Sequence, residues 1–224
     1  MRGIVESYDA GLSPSRRSGG ISVDDIYVFS SRDTPIGNGA FEGTATYAAP
    51  KSGRYRLIVL GAGGRGATSD YGGGGGGGYS EIDLRLSKGD IITAVLSRSA
   101  NSTISARGVT ITGGKGGDGS SVGGAGGVGS GGSVNLTGGN GAYGSGAASG
   151  TGAGPYGGQG VIGFSTAGAG GGAASNSSIL PGGRGTYAGA PGLEPVNGAG
   201  SGSQAGAQPS PRSYPAAAVI FLGT

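Results

Sequence analysis

Glycine recurring at every third residue limits what this chain can fold into more than any other feature. Gly154, Gly157, Gly160 and Gly163 form one such run, and Gly138, Gly141 and Gly144 another. In Gly113-Gly114-Lys115-Gly116-Gly117-Asp118 the pattern inverts, and the non-glycine falls at every third position. A period of three is neither the 3.6 of an α-helix nor the 2 of a strand. It is the repeat of a polyproline-II-type helix, with three residues per turn, a rise of about 3.1 Å and no internal hydrogen bonds. Such a chain keeps its N–H and C=O groups free to bond sideways.

Three structures share that signature. A collagen triple helix needs unbroken triplets and abundant proline. Here the register slips at Ser120-Ser121-Val122, near Ala147-Ala148-Ser149 and around Thr166-Ala167, and the chain has only 10 Pro, which excludes collagen. A flexible Gly/Ser linker needs no periodicity. A packed bundle of short glycine helices uses the periodicity, because backbones without side chains approach closely and bond laterally. Ordering glycine costs more backbone entropy than ordering any other residue. Many inter-helix hydrogen bonds, at about 1 kcal/mol net each, have to offset it. The bundle is the preferred reading, and the linker stays open beside it.

The rest of the chain reads as β-structure. Residues 1–40 are irregular, with one apolar patch at Ile26-Tyr27-Val28-Phe29. They are read either as an arm that docks on a partner or as a frayed terminus with one edge strand. Residues 41–112 carry strands. Tyr55 to Leu60 is a continuous apolar strand entered through a turn at Pro50-Lys51-Ser52-Gly53. Tyr79 to Leu86 alternates, with Ile82, Leu84 and Leu86 on one face and Glu81, Asp83 and Arg85 on the other. Turn chemistry at Ser87-Lys88-Gly89-Asp90 then predicts a hairpin with Ile91 to Leu96 as the partner strand. Thr103 to Ala106 and Val109 to Thr112 predict a second hairpin around Arg107-Gly108. Ala217 to Leu222 is a final strand expected to pair back into the same sheets, so residues 216–224 complete the sandwich around a glycine-rich excursion over 113–215. No segment has the pattern of an amphipathic helix, and glycine opposes helix at about 1 kcal/mol per interior position.

Composition narrows the chemistry. Of 224 residues, 59 are Gly, and neither Cys nor His occurs. Disulfides and Ser–His or Cys–His nucleophile pairs are therefore excluded, and zinc, copper and haem sites are not expected. No cofactor and no metal is expected. The formal net charge is +3 and the basic residues do not cluster, so no nucleic-acid groove is expected. Met1 to Glu6 lacks an apolar signal core and the longest apolar run, Ala216 to Leu222, is too short to span a bilayer, so neither export nor membrane insertion is expected. Gly61-Ala62-Gly63-Gly64-Arg65-Gly66 has the spacing of a dinucleotide loop after an apolar strand. Seven glycines, Gly72 to Gly78, follow where the necessary helix would start, which removes that reading. Lys115 is not a P-loop lysine, because Val109 occupies the position of the first glycine. Asp24, Asp25 and Asp83 read as isolated carboxylates, and no acid pair at a suggestive spacing supports glycosidase chemistry.

The residues that interrupt the glycine registers are the candidates for recognition: Tyr143, Tyr156, Asn176, Tyr187 and Asn197. A tyrosine in a glycine loop supplies a large, rigid contact area with a polar tip. The same tyrosines are equally read as caps packed on glycine backbone.

Taken in order, Tyr47-Ala48-Ala49-Pro50, Ser52-Gly53-Arg54-Tyr55, Leu57-Ile58-Val59, Gly61-Ala62-Gly63-Gly64, the run Gly72 to Tyr79, the Leu84-Leu86-Lys88-Gly89-Asp90 segment, a long glycine tract and a closing apolar strand resemble the glycine-rich tail-fibre and tip-adhesin proteins of tailed bacteriophages. The resemblance covers residues 41–224. It implies an all-β fold: a jelly-roll-like β-sandwich with a long glycine-rich insertion forming a bundle of polyglycine-II helices, with little or no α-helix. It further implies a non-enzymatic virion protein, made in the host cytoplasm and carried on a tail fibre. Its loops would touch a bacterial surface polysaccharide or outer-membrane protein. Other tail or fibre proteins, and further copies in a homotrimer, are the expected partners. A purely structural fibre, collar or decoration protein is the alternative.

Overall fold

The computed structural model describes residues 26–30, 43–67, 72–141 and 215–224. Among these residues no helix occurs, and nine strands form two antiparallel sheets. The strands are β1 (Ile26–Ser30), β2 (Gly43–Ala48), β3 (Gly53–Leu60), β4 (Tyr79–Leu86), β5 (Ile91–Leu96), β6 (Ser102–Ala106), β7 (Val109–Gly113), β8 (Val134–Leu136) and β9 (Ala216–Gly223). One sheet has the order β1-β9-β3-β4-β8 and the other β2-β5-β6-β7.

The core between the sheets is built from alternate positions, as period-2 patterning requires. Tyr55, Leu57 and Val59 of β3 and Ala217 and Val219 of β9 meet Ile92, Ala94 and Leu96 of β5, Ile104 of β6 and Ile111 of β7. Tyr27 stacks on Tyr47 at 4.4 Å between ring centroids, which joins edge strand β1 to edge strand β2 across the sandwich. The other face of β3 is buried as well: Ile58 and Leu60 pack with Tyr79, Ala218 and Ile220 in a second apolar cluster. Burial on both faces explains why the β3 sequence is apolar without alternation.

The apolar closing strand pairs back as expected. β9 lies between β1 and β3, with Leu60 opposite Ala216 and Ser30 opposite Ala216 on its other side. The edge-strand reading of Ile26 to Phe29 is met by β1. The β6–β7 hairpin turns on Arg107 and Gly108, both at positive φ (50° and 77°), the geometry of a two-residue turn that follows strand twist.

One expected pairing is corrected. β4 and β5 are not hairpin partners: β4 pairs with β3 and β8, whereas β5 pairs with β2 and β6. The turn at Ser87 to Asp90 carries the chain across the sandwich. A second corner, between β2 and β3, lies beside it, and the two are bonded together. Gly89 donates to the Ala49 carbonyl at 2.8 Å, Ala49 donates to Asp90 at 2.9 Å, and the Lys88 amide donates to Ser52 Oγ at 2.9 Å. Turn residues fix where a chain reverses, while the sheet it enters next depends on partners distant in sequence.

Asp83 is likewise not isolated. Its Oδ1 accepts from Arg56 Nε at 2.7 Å and its Oδ2 from Arg54 Nη2 at 2.7 Å, both from the adjacent strand β3. The Arg56 hydrogen bond, aided by Arg54, holds the Asp83 carboxyl below its ordinary value against the opposing effect of burial. Because the folded value lies below the unfolded one, this contribution is complete above about pH 4 and is lost as the pH falls through the folded value. Asp83→Asn should cost about 1–2 kcal/mol at neutral pH. The gap between variant and parent should close as the pH drops below about 4, as read by urea denaturation at a series of pH values.

Candidate functional site

The sandwich ends in a lattice of glycine segments. Five stretches, residues 61–67, 72–78, 114–120, 122–128 and 138–141, lie side by side and are joined by backbone hydrogen bonds of 2.7 to 3.0 Å. The bonds recur with a period of three. Gly61, Gly64 and Ala67 donate to Gly78, Gly75 and Gly72. Gly72, Gly75 and Gly78 donate in turn to Ser120, Gly117 and Gly114. Gly116 and Gly119 donate to Ala62 and Arg65, and Gly124 and Gly127 donate to Gly73 and Gly76. Gly138 and Gly141 donate to Gly127 and Gly124. Successive residues thus address different neighbours, as three residues per turn dictates.

The lattice continues both sheets. β3 runs into 61–67, 72–78 runs into β4 and 138–141 follows β8, in the same lateral order as in the five-stranded sheet. β7 runs into 114–120, and 122–128 leads to Ser130, which bridges Thr112. The antiparallel ladder passes from Leu60 opposite Tyr79 directly to the Gly61–Gly78 bond. Two of the five segments come from the β3–β4 connection, so the lattice is wider than the 113–215 tract that sequence periodicity marks.

Position in the lattice explains composition. The 72–78 segment bonds to all four others, and all seven of its glycines are buried. A Cβ on Gly74 would fall on the Gly64 carbonyl, and one on Gly75 on the Ala125 carbonyl. Segments 114–120 and 122–128 have a free side, and their non-glycines use it: Lys115 and Asp118 on one ridge, and Val122, Ala125 and Val128 on another, whereas Ala62 of 61–67 is buried. Three residues at about 3.1 Å each put such neighbours roughly 9 Å apart. Lys115 Nζ spans that distance to pair with Asp118 Oδ1 at 2.8 Å. Where backbone partners run out, side-chain oxygens replace them. Asp118 Oδ1 accepts from the Arg65 amide at 2.9 Å, Asn101 Oδ1 from the Lys115 amide at 3.0 Å and Asn140 Oδ1 from the Gly126 amide at 2.9 Å.

Beyond the lattice, two surfaces stand out. On the outer side of the five-stranded sheet, Arg54, Arg56, Asp83, Glu81 and Tyr79 form a polar chain from solvent inward, in which Tyr79 Oη donates to Glu81. Both carboxylates have cationic or hydroxyl partners, an arrangement that ties β3 to β4. On the outer side of the four-stranded sheet, register aligns two hydroxyl-rich rows: Thr44–Val95–Thr103–Thr112–Ser130 and Thr46–Thr93–Ser105–Thr110. Among the described residues no group of three or more acidic, His or Cys side chains is placed to hold a metal ion.

Tyr143, Tyr156, Asn176, Tyr187 and Asn197 all lie outside the described residues. The described chain places the two ends of their segment: Gly141 is bonded into the lattice, and buried Pro215 leads into β9 at Ala216, opposite Leu60. Both ends are therefore on the lattice side of the sandwich. Sequence reasoning missed the central role of Gly72 to Gly78 and the Val122–Ala125–Val128 ridge, although glycine at all three phases is a readable sign of a segment enclosed on all sides. No family model matches this chain, and no curated protein matches it.

Enclosure makes the central glycines sensitive to a single methyl. Gly75→Ala should destabilise by about 1–3 kcal/mol, the range for overpacking. Ala125→Ser, on an outward position, should stay within about 0.5 kcal/mol. Thermal melts of the two variants beside the parent provide the comparison.

Proposed function

We propose that this chain is a receptor-binding tip protein of a phage tail fibre, non-enzymatic, recognising a bacterial surface polysaccharide or outer-membrane protein. In this reading residues 142–214 extend the lattice as a polyglycine-II bundle on a jelly-roll-like sandwich. The loops at its register slips, bearing Tyr143, Tyr156, Asn176, Tyr187 and Asn197, meet the receptor. The observation that carries the reading is the period-three lattice anchored at both ends of that segment. A scaffold bonded in this way leaves little loop freedom to be lost on binding, which favours affinity without a deep pocket. The resemblance of residues 41–224 to tip adhesins supports the same role.

Fluorescently labelled full-length protein should bind a subset of a panel of bacterial strains and slow phage adsorption to those strains. Alanine at Tyr143, Tyr156 and Tyr187 together should weaken binding by more than tenfold with the melting temperature unchanged. Absence of binding to every strain that the phage infects would remove the proposal. A structural virion role is the second reading, favoured by the exposure of Val122 (62%) and Val128 (61%), which suits burial against other subunits. Imaging of intact particles separates the two by whether the glycine loops lie at the distal tip or inside the assembly.

A further inference from the structure

We propose that the outer face of the four-stranded sheet, with the valine ridge that prolongs it, is a self-association surface on which a second copy of this chain packs face to face. The large hydrophobic residues exposed among the described residues are Ile91 (55%), Val95 (39%), Val122 (62%) and Val128 (61%). All four belong to this one face. Ile91 and Val95 alternate with Ile92, Ala94 and Leu96 of the core, so they point outward. The Thr112–Ser130 bridge puts Ser130 in the outward row, Val128 follows on the same side two residues away, and the period of three carries the ridge on to Val122.

The surface has the character of an interface core. None of its described positions is charged, and charge depletion is one mark of the centre of an interface. Lys115 with Asp118 and Arg107 with Asp90 are paired within the chain and flank the face, and Lys88 and Arg98 stand in the connections that enter and leave β5. A second copy therefore sets uncharged positions against uncharged positions at the centre of the face, where a charged partner finds no complement. Four strands and the bridged Ser130 segment, at about 4.8 Å spacing and roughly 18 Å long, with a single ridge of roughly 20 Å beyond them, give on the order of 500 Å² in projection. That is the scale of the roughly 800 Å² per partner found in stable interfaces. Sheet faces stack at about 10 Å, and a flat face meeting its own copy closes a two-fold pair.

The proposal is independent of receptor binding, so its failure leaves the adhesin reading intact. Sedimentation equilibrium of the purified full chain should give twice the 21.0 kDa chain mass at high concentration. Val95→Lys and, separately, Val122→Lys should each raise the dissociation constant at least roughly 100-fold, because each buries an unpaired charge. Lys88→Glu, on the exposed corner, should leave it unchanged. Should Val95→Lys fail to fold, the highly exposed Val122 position decides. A parent chain that stays monomeric, an assembly of three or more copies, or a dimer that both valine variants leave unmoved would overturn the proposal.

Discussion

The missing Cβ is the constraint on which the rest of this structure depends. Lateral N–H···O=C bonds between these glycine segments require their backbones to lie closer than any side chain permits. A segment bonded on every side must be glycine at every phase, whereas a segment with one free side can spend one residue in three on something else. The energetic balance is narrow. Ordering a residue costs about 1–2 kcal/mol of backbone entropy, and more for glycine, while a hydrogen bond returns about 1 kcal/mol net. A glycine lattice of this size does not hold itself up. It is fixed where β3, β4, β7 and β8 feed into it, and the apolar core of the sandwich supplies the surplus.

The two outer faces of the sandwich are accordingly different. The five-stranded sheet is buried on both sides around β3, with Ile58, Leu60 and Tyr79 beneath a surface that turns polar only toward Arg56 and Asp83. The four-stranded sheet is buried on one side only, and its other side is a threonine face. The sequence patterns reflect this: β3 is continuously apolar, and β6 and β7 alternate.

Local signals in the sequence were reliable where they concerned single strands. The apolar run of β3, the alternation of β4 and the turn at Arg107-Gly108 each mark the element that forms. Relations between distant elements were not legible. β4 and β5 look like a hairpin because the Ser87 to Asp90 turn is short, yet each strand has other partners. β8 was not seen at all, since Val134-Asn135-Leu136 is only three residues long and owes its conformation to β4, some fifty residues earlier. Gly72 to Gly78 carries glycine at all three phases, a sign of enclosure, but nothing local shows which four segments enclose it. The slip at Ser120-Ser121-Val122, by contrast, was readable and is a turn between two lattice segments, closed by the Ser120 amide on the Val122 carbonyl. For the candidate site, the Lys115–Asp118 spacing was legible and the ridge it forms was not.

The one-in-three rule of the outer segments also separates two vocabularies within a single stretch of chain. Two residues of each triplet are spoken for by neighbouring carbonyls and admit only glycine. In 114–120 and 122–128 the third faces solvent, so Lys, Asp, Ala or Val stands there, and at Asp118, as at Asn140 of 138–141, it also caps a neighbouring amide. Where that third residue caps no amide, as at Val122, Ala125 and Val128, mutation can rewrite it without touching the architecture. A surface built this way is a grid of interchangeable side chains on an invariant frame, able to drift quickly in what it displays while its shape stays the same.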